Sequence, residues 1–256
     1  MINNLLFWII LVCFNIYSQS YGQLKNDLKN IFETSKEYFN YPLNFSSDDY
    51  KKLGIISSSI ATSSFFDDAI KKFSQNNFDS SNTLLTKFDS YYHIEFVSAT
   101  ILGMFFYGNL SNNSDAKKLS NNLIASSLLT GITTFGFKSI FGRSRPYIAD
   151  NQYEFNWFEF EDKFLSFPSG HTSLAFSFST IMAEQNHTFL WKAIWFSAAA
   201  LVGVSRIYNN KHWFSDVLAG AAIGYLTAKF VMNRNNNDSS YNLNLPTNKI
   251  VILIRL

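Results

Sequence analysis

From Tyr50 to Met232 the sequence is a succession of apolar runs of helix length, each closed by a Ser/Asn/Asp or Gly/Pro cluster and each cut by charged residues at short intervals. Charges that interrupt the runs include Asp68, Lys71, Glu95, Lys118, Lys138, Lys163, Glu184, Lys192, Arg206, Asp216 and Lys229. Uncharged stretches such as Leu53 to Phe66 fall short of the roughly 20 residues a membrane-spanning helix needs. They suit helices that bury one another in an all-α bundle. His93 to Leu110 and Phe189 to Val204 are the best membrane candidates, since charges at helix ends can reach the interface. The breaks delimit the elements. Tyr41-Pro42 stops a helix over Leu24 to Tyr38, and Ser46-Ser47-Asp48-Asp49 starts another over Tyr50 to Phe73. Ser74 to Thr83 reads as loop. Helices are expected over His93 to Leu110, from Ser111–Asp115 to about Lys138, then over His171–Gln185, Thr188–Tyr208 and His212–Met232. Phe141 to Phe167 is a long loop rich in aromatic and acidic residues.

Composition sharpens the question of solvent. Charged residues make up 16% of the chain, against roughly 25% in an ordinary soluble domain. Aromatics reach 18%. Yet the mean hydropathy of −0.02 is low for a polytopic membrane protein, so the bundle is read as water-facing or peripheral. The 256 residues suffice for one domain with a real core. A net charge of +2 without a Lys/Arg run is no nucleic-acid footprint. Any use of positive charge must be local.

Residues Met1 to Ser20 lack Asp, Glu, Lys and Arg, and carry the apolar block Leu5 to Val12 followed by Ser18-Gln19-Ser20. This reads as a secretory signal peptide. Its removal would take the single cysteine, Cys13, with it, leaving no disulfide or thiolate chemistry. The expected organisation is a signal peptide over 1–20, a polar extension over 21–49, a catalytic domain over 50–232 and a C-terminal tail over 233–256. Within the tail, Lys249 to Leu256 is β-prone.

Three clusters at expected helix ends carry chemistry. In the first, Lys138 closes a helix, Gly142 permits a turn, Pro146 stops continuation, and Arg143 and Arg145 lie between. Poorly hydrated cations call for an anion, and Arg offers a planar fork for two phosphoryl oxygens. The second is Pro168-Ser169-Gly170-His171. Ser169 suits an N-cap, the free N–H groups of the first turn favour an anion, and His171 can serve there as acid or base. The third runs from Ser205-Arg206 to His212 and Asp216. His212 and Asp216 are four apart and would share a helix face, where a carboxylate on one imidazole nitrogen leaves the other basic. Taken singly, each cluster also has an ordinary structural reading: a solvated basic loop, a plain helix cap, a core His satisfied by an Asp.

Together they spell K-x(6)-R-P, P-S-G-H and S-R-x(5)-H-x(3)-D in order. That pattern resembles the type 2 phosphatidic acid phosphatase / vanadium haloperoxidase superfamily, over about Leu53 to Met232. The resemblance implies a six-helix bundle with a long loop between the first two motifs, and metal-independent hydrolysis of a phosphate monoester or diphosphate. It also implies roles: His212 as nucleophile forming a phosphohistidine, Asp216 orienting it, and His171 as general acid and then base. Lys138, Arg145, Ser169, Gly170 and Arg206 would cradle the phosphate, with Arg143 in support. No cofactor or metal is implied, and vanadate is expected to inhibit. The substrate is expected to be a lipid phosphate, an isoprenoid diphosphate or a soluble phosphomonoester. The expected location is exported and periplasmic; the alternative is an integral membrane protein with its site on the extracytoplasmic side. Two other readings use the same cradle: a vanadate-dependent haloperoxidase, and a non-catalytic phosphate-binding envelope protein. The aromatics from Tyr147 to Phe164 can either form an apolar mouth or fold over the bundle.

Overall fold

The computed structural model describes residues 21–92, 94–111 and 113–235. The signal-peptide segment, Cys13 and nearly all of the C-terminal tail lie outside the described residues. Nine α-helices occur among those described: α1 (Tyr21–Asn40), α2 (Ser47–Ser63), α3 (Asp67–Asn76), α4 (Thr83–Tyr91), α5 (Ile94–Leu110), α6 (Ser114–Phe141), α7 (Gly170–Ala183), α8 (Phe189–Tyr208) and α9 (Phe214–Asn235). Among the described residues the fold is all-helical, as the resemblance implies; α5 to α9 pack on one another most extensively, with α4 against α8, α2 against α9 and α1 against α6.

Local chemistry sets the starts and stops. Ser46 and Asp49 form a reciprocal capping box at α2. Asn82 and Asn113 cap α4 and α6 through their side chains. The expected single helix over Tyr50–Phe73 is broken: a 3-10 turn at Ser64–Phe66 redirects the chain, and Asp67 opens α3. The sequence reading also passed over α4, whose nine residues carry too little periodicity to stand out. Helix α6 ends where Gly142 takes φ +54. A Cβ there would meet the Asn156 carbonyl oxygen at 1.6 Å, so only glycine fits both the left-handed turn and the loop pressed against it.

The centre of the bundle is α7, packed between α6, α8 and α9. Its contact with α9 is close because Gly220 and Gly224 present no side chain. A Cβ on Gly224 would lie 2.1 Å from the Ser173 carbonyl oxygen, and one on Gly220 2.5 Å from that of Ser169. Phe178, Ile181, Leu123, Val97, Ala199 and Val202 make the main apolar core. Helix α1 is tied on by Tyr38, whose ring meets Phe230 edge-on at 5.2 Å and whose hydroxyl lies 2.9 Å from Thr227 Oγ1.

The long helices bury polar side chains along with apolar ones, and α6 exposes large apolar residues. Helix α6 buries Ser120, Asn122, Ser126, Thr130 and Thr134, while Leu128, Ile132, Phe135 and Ile140 are exposed. Helix α7 buries five hydroxyl side chains between Thr172 and Thr180. By length and composition α6, α8 and Phe214–Arg234 of α9 suffice to cross a membrane. The spacing of charges conceals this for α6. Lys118 and Lys138 fall at opposite ends of the helix and leave Leu119–Phe137 free of charge.

Candidate functional site

The three clusters meet at one end of the bundle, where α6 and α8 finish and α7 and α9 begin. Main-chain bonds join them. Ser169 N–H donates to the Asp216 carbonyl at 2.9 Å, and Ser166 N–H to that of Arg143 at 3.0 Å. The indole N–H of Trp213 donates to the Ser144 carbonyl at 2.9 Å. The long loop between α6 and α7, with one 3-10 turn at Asp162–Phe164, is thereby pinned to two helix N-termini.

His212 is buried at the centre, 2% exposed. It lies just before α9 rather than on it, so the expected helix-face pairing with Asp216 is replaced by an arrangement across the helix start. The Asp216 Oδ2 accepts from Trp213 N–H at 2.9 Å, as a first-turn acid does when it caps a helix. The same oxygen accepts from Ser166 Oγ at 2.6 Å. It stands 3.6 Å from His212 Nδ1, which has no hydrogen-bond partner among the described residues. Catalytic hydrogen bonds of this kind are often long until a substrate docks. Burial, reinforced by the charges of Lys138 and Arg206 and opposed by Asp216, holds the imidazole well below its ordinary 6.5. It is neutral near pH 7, with Nδ1 toward the carboxylate and Nε2 on the other side of the ring.

Lys138, Arg145 and Arg206 converge within electrostatic reach of one another, and Lys138 and Arg206 act on His212. Each is held by a partner the motifs do not contain. Lys138 Nζ donates to the Leu165 carbonyl. Arg145 donates to the Asp162 carbonyl at 2.8 Å and to its carboxylate at 2.7 Å. Arg206 donates to Asp89 at 2.5 Å, while its buried Nε has no hydrogen-bond partner among the described residues. Ser169 occupies the N-cap position of α7, but its hydroxyl meets Thr172 Oγ1 at 2.9 Å instead of the helix N–H groups. Gly170 is the first residue of α7, and a Cβ there would come within 3.6 Å of Lys138 Cε. The glycine thus keeps the start of α7 open beside that lysine. His171 follows it in the first turn, half-buried.

Arg143 departs from its expected place. It turns away from the cation cluster to pair with Asp67 and Asp216. Asp67, Asp89 and Ser166 are residues that the sequence reading did not single out. Their partners lie far along the chain, 76 positions for Asp67 and Arg143, and no local pattern marks them. Among the described residues no group of three His, Cys, Asp or Glu side chains is arranged to hold a metal ion. Chemically, the site offers a buried neutral imidazole beside a carboxylate, three cations and the N-terminus of α7. That set suits a tetrahedral oxyanion and in-line displacement at it.

The aromatic loop folds partly onto the bundle. Phe141 packs edge-on to Phe167 at 5.2 Å and lies 5.4 Å from Trp157. Trp157, Phe158 and Phe160 nevertheless remain exposed beside the site.

The family model described as the PAP2 superfamily matches residues 120–239, a stretch that contains all three motifs. A lipid A 1-phosphatase of Porphyromonas gingivalis is 36% identical over 121 residues, which cover 46% of this chain and 24% of that protein. The chain therefore aligns with about a quarter of that relative's length. Two solved structures share the fold, each with TM-score 0.53 and 24% identity. One is LpxE of Aquifex aeolicus, covering 66% of this chain and 95% of that one. The other is a transmembrane PAP2-type phosphatidylglycerolphosphate phosphatase of Bacillus subtilis, covering 75% of this chain and 96% of that one.

Proposed function

We propose, from the match of residues 120–239 to the PAP2 superfamily model, that this protein is a membrane-embedded, metal-independent phosphohydrolase acting on a lipid phosphate or diphosphate. The observation that carries the reading is the convergence of Lys138, Arg145 and Arg206 on a buried, neutral His212 backed by Asp216. Nε2 of His212 attacks phosphorus, and the bond from phosphorus to the leaving oxygen breaks as His171 delivers a proton to that oxygen. Water then attacks the phosphohistidine, passing its proton to His171. The P–N bond breaks, inorganic phosphate leaves, and both imidazoles return to their starting states. The three cations, with Ser169 and the Gly170 N–H, take up charge on the equatorial oxygens. Asp216 stabilises the imidazole as its nitrogen gains positive character.

A lipid substrate is supported by the names of the relatives and by the surface. Exposed apolar faces on α6 and α8 lead toward the site end, and Trp157, Phe158 and Phe160 stand at that level, as aromatics do at a bilayer interface.

The test is phosphate release from a phosphatidate, a prenyl diphosphate and a short-chain phosphomonoester, each with and without chelator. Release from the lipids, unaffected by chelator and inhibited by vanadate, is expected. Turnover of the soluble ester alone would overturn the lipid assignment, and loss of activity with chelator would overturn the metal-free mechanism.

A further inference from the structure

Arg143 lies in the spacer of the first motif and is 2% exposed. Its guanidinium bridges two buried carboxylates from different elements. One terminal nitrogen donates to Asp216 Oδ1 at 2.6 Å, and the other to Asp67 Oδ2 at 2.8 Å. The Gln152 carbonyl accepts from Nε at 3.1 Å. Asp67 in turn grips the first turn of α9. It accepts the Ser215 N–H at 2.8 Å and the Ser215 hydroxyl at 2.6 Å. Asp67 therefore holds the residue adjoining Asp216, and also holds the cation that faces Asp216.

We propose that Asp67 and Arg143 are positioning residues: a buried charge clamp that fixes the Asp216 carboxylate and thereby sets both the aim and the proton affinity of His212. The proposal rests on the reading of His212 as nucleophile. On Oδ2, Asp216 accepts from two neutral donors, Ser166 Oγ and the Trp213 N–H. Arg143 is the cation on Oδ1. Because the Arg143 charge is shared between two carboxylates, the field of Asp216 at His212 depends on how much of that charge Asp67 takes.

The sign of each perturbation follows. The groups that face His212 are Asp216 from α9, Lys138 from α6 and Arg206 from α8, with Arg145 next to those two cations. Asp89 pairs with Arg206 and Asp162 with Arg145. Neither substitution below alters any of these groups. Arg143→Gln removes the cation from the far side of Asp216, so the carboxylate stabilises a His212 imidazolium more strongly and proton affinity rises. Asp67→Asn leaves the whole Arg143 charge bearing on Asp216, so proton affinity falls. A purely structural lesion would move both variants the same way or not at all.

The experiment is a titration of His212 by NMR on the full chain with labelled histidine, its signal assigned by its loss in His212→Ala, together with kcat and KM on a phosphatidate. Opposed shifts are expected, about threefold to tenfold in proton affinity. A fall in kcat of about 10- to 100-fold with little change in KM should accompany them. Arg143→Lys, which keeps the charge but not the fork, should return the titration toward the parent value while kcat stays low. Shifts in one direction, unmoved titrations, or an Arg143→Lys protein that titrates like Arg143→Gln would overturn the clamp. If the parent releases no phosphate while the titrations still shift oppositely, the hydrolase reading fails and the electrostatic clamp stands. If the parent hydrolyses lipid phosphate, His212→Ala does not, and the titrations coincide, the clamp fails alone.

Discussion

At the scale of single residues, the site depends on side chains that are buried and charged at once. His212 is the clearest case. Its neutral form is favoured by burial and by neighbouring cations, so it keeps the deprotonated form that the proposed nucleophilic role requires as pH falls through 6.5, and takes up a proton only below that. The acid limb of kcat/KM assigned to His212 is therefore expected below pH 6.5, and a limb at pH 7 or higher would contradict the assignment. Stability runs the same way. The unfolded histidine binds its proton near pH 6.5 and the folded one only at lower pH, so acidification below 6.5 favours unfolding through this group. Replacing His212 with Ala should abolish phosphate release while leaving helix content by circular dichroism unchanged. Full activity in that variant would remove His212 from the mechanism. The motif residues were legible in the sequence because their spacing is fixed by the turns they occupy. Asp67, Asp89 and Ser166 were not, because each is defined by a partner distant in sequence.

At the scale of elements, the α7–α9 contact fixes the site, since Ser169 N–H binds the Asp216 carbonyl across it. Two glycines permit that approach. Gly224→Val would force the helices apart against the backbone of Ser173 and Ser177, 2.1 and 2.8 Å from the new Cβ. Overpacking of this kind costs about 1–3 kcal/mol or more. A lower thermal midpoint in detergent and loss of activity are expected. Gly131→Ala in α6 is the contrast. A Cβ there has nothing within 4 Å, and helix propensity favours alanine by about 0.5–1 kcal/mol. Its midpoint should hold or rise; an equal fall in both variants would mean that helix contact is not what distinguishes the two sites. The capping signals at Ser46 and Asn113 could be read from sequence because a cap is a local bond. The break at Ser64–Phe66 could not. Its following residue, Asp67, is held by Ser215 and Arg143, and only the folded chain brings those groups to it.

At the scale of the whole molecule, the question is which solvent the bundle meets. An ordinary soluble helix hides its apolar stripe, yet α6 buries hydroxyls and exposes Leu128, Ile132 and Phe135. In a bilayer that polarity is the stable one: small polar residues pack helices closely, and large apolar ones face lipid. The protein is expected to remain in the membrane pellet after an alkaline carbonate wash and to need detergent for release. Release by carbonate alone would make it peripheral. The sequence by itself determined that the chain is helical, where most helices start and stop, and the spacing of the three motifs whose resemblance the proposed phosphate chemistry rests on. These follow from periodicity, caps and spacing, which act over a few residues. Only the tertiary structure decided which faces point outward, and which acids hold each cation. It also gave Arg143, expected only in support of the phosphate cradle, its pairing with Asp67 and Asp216. Burial and charge pairing are properties of groups brought together from distant positions, and a linear pattern does not encode them.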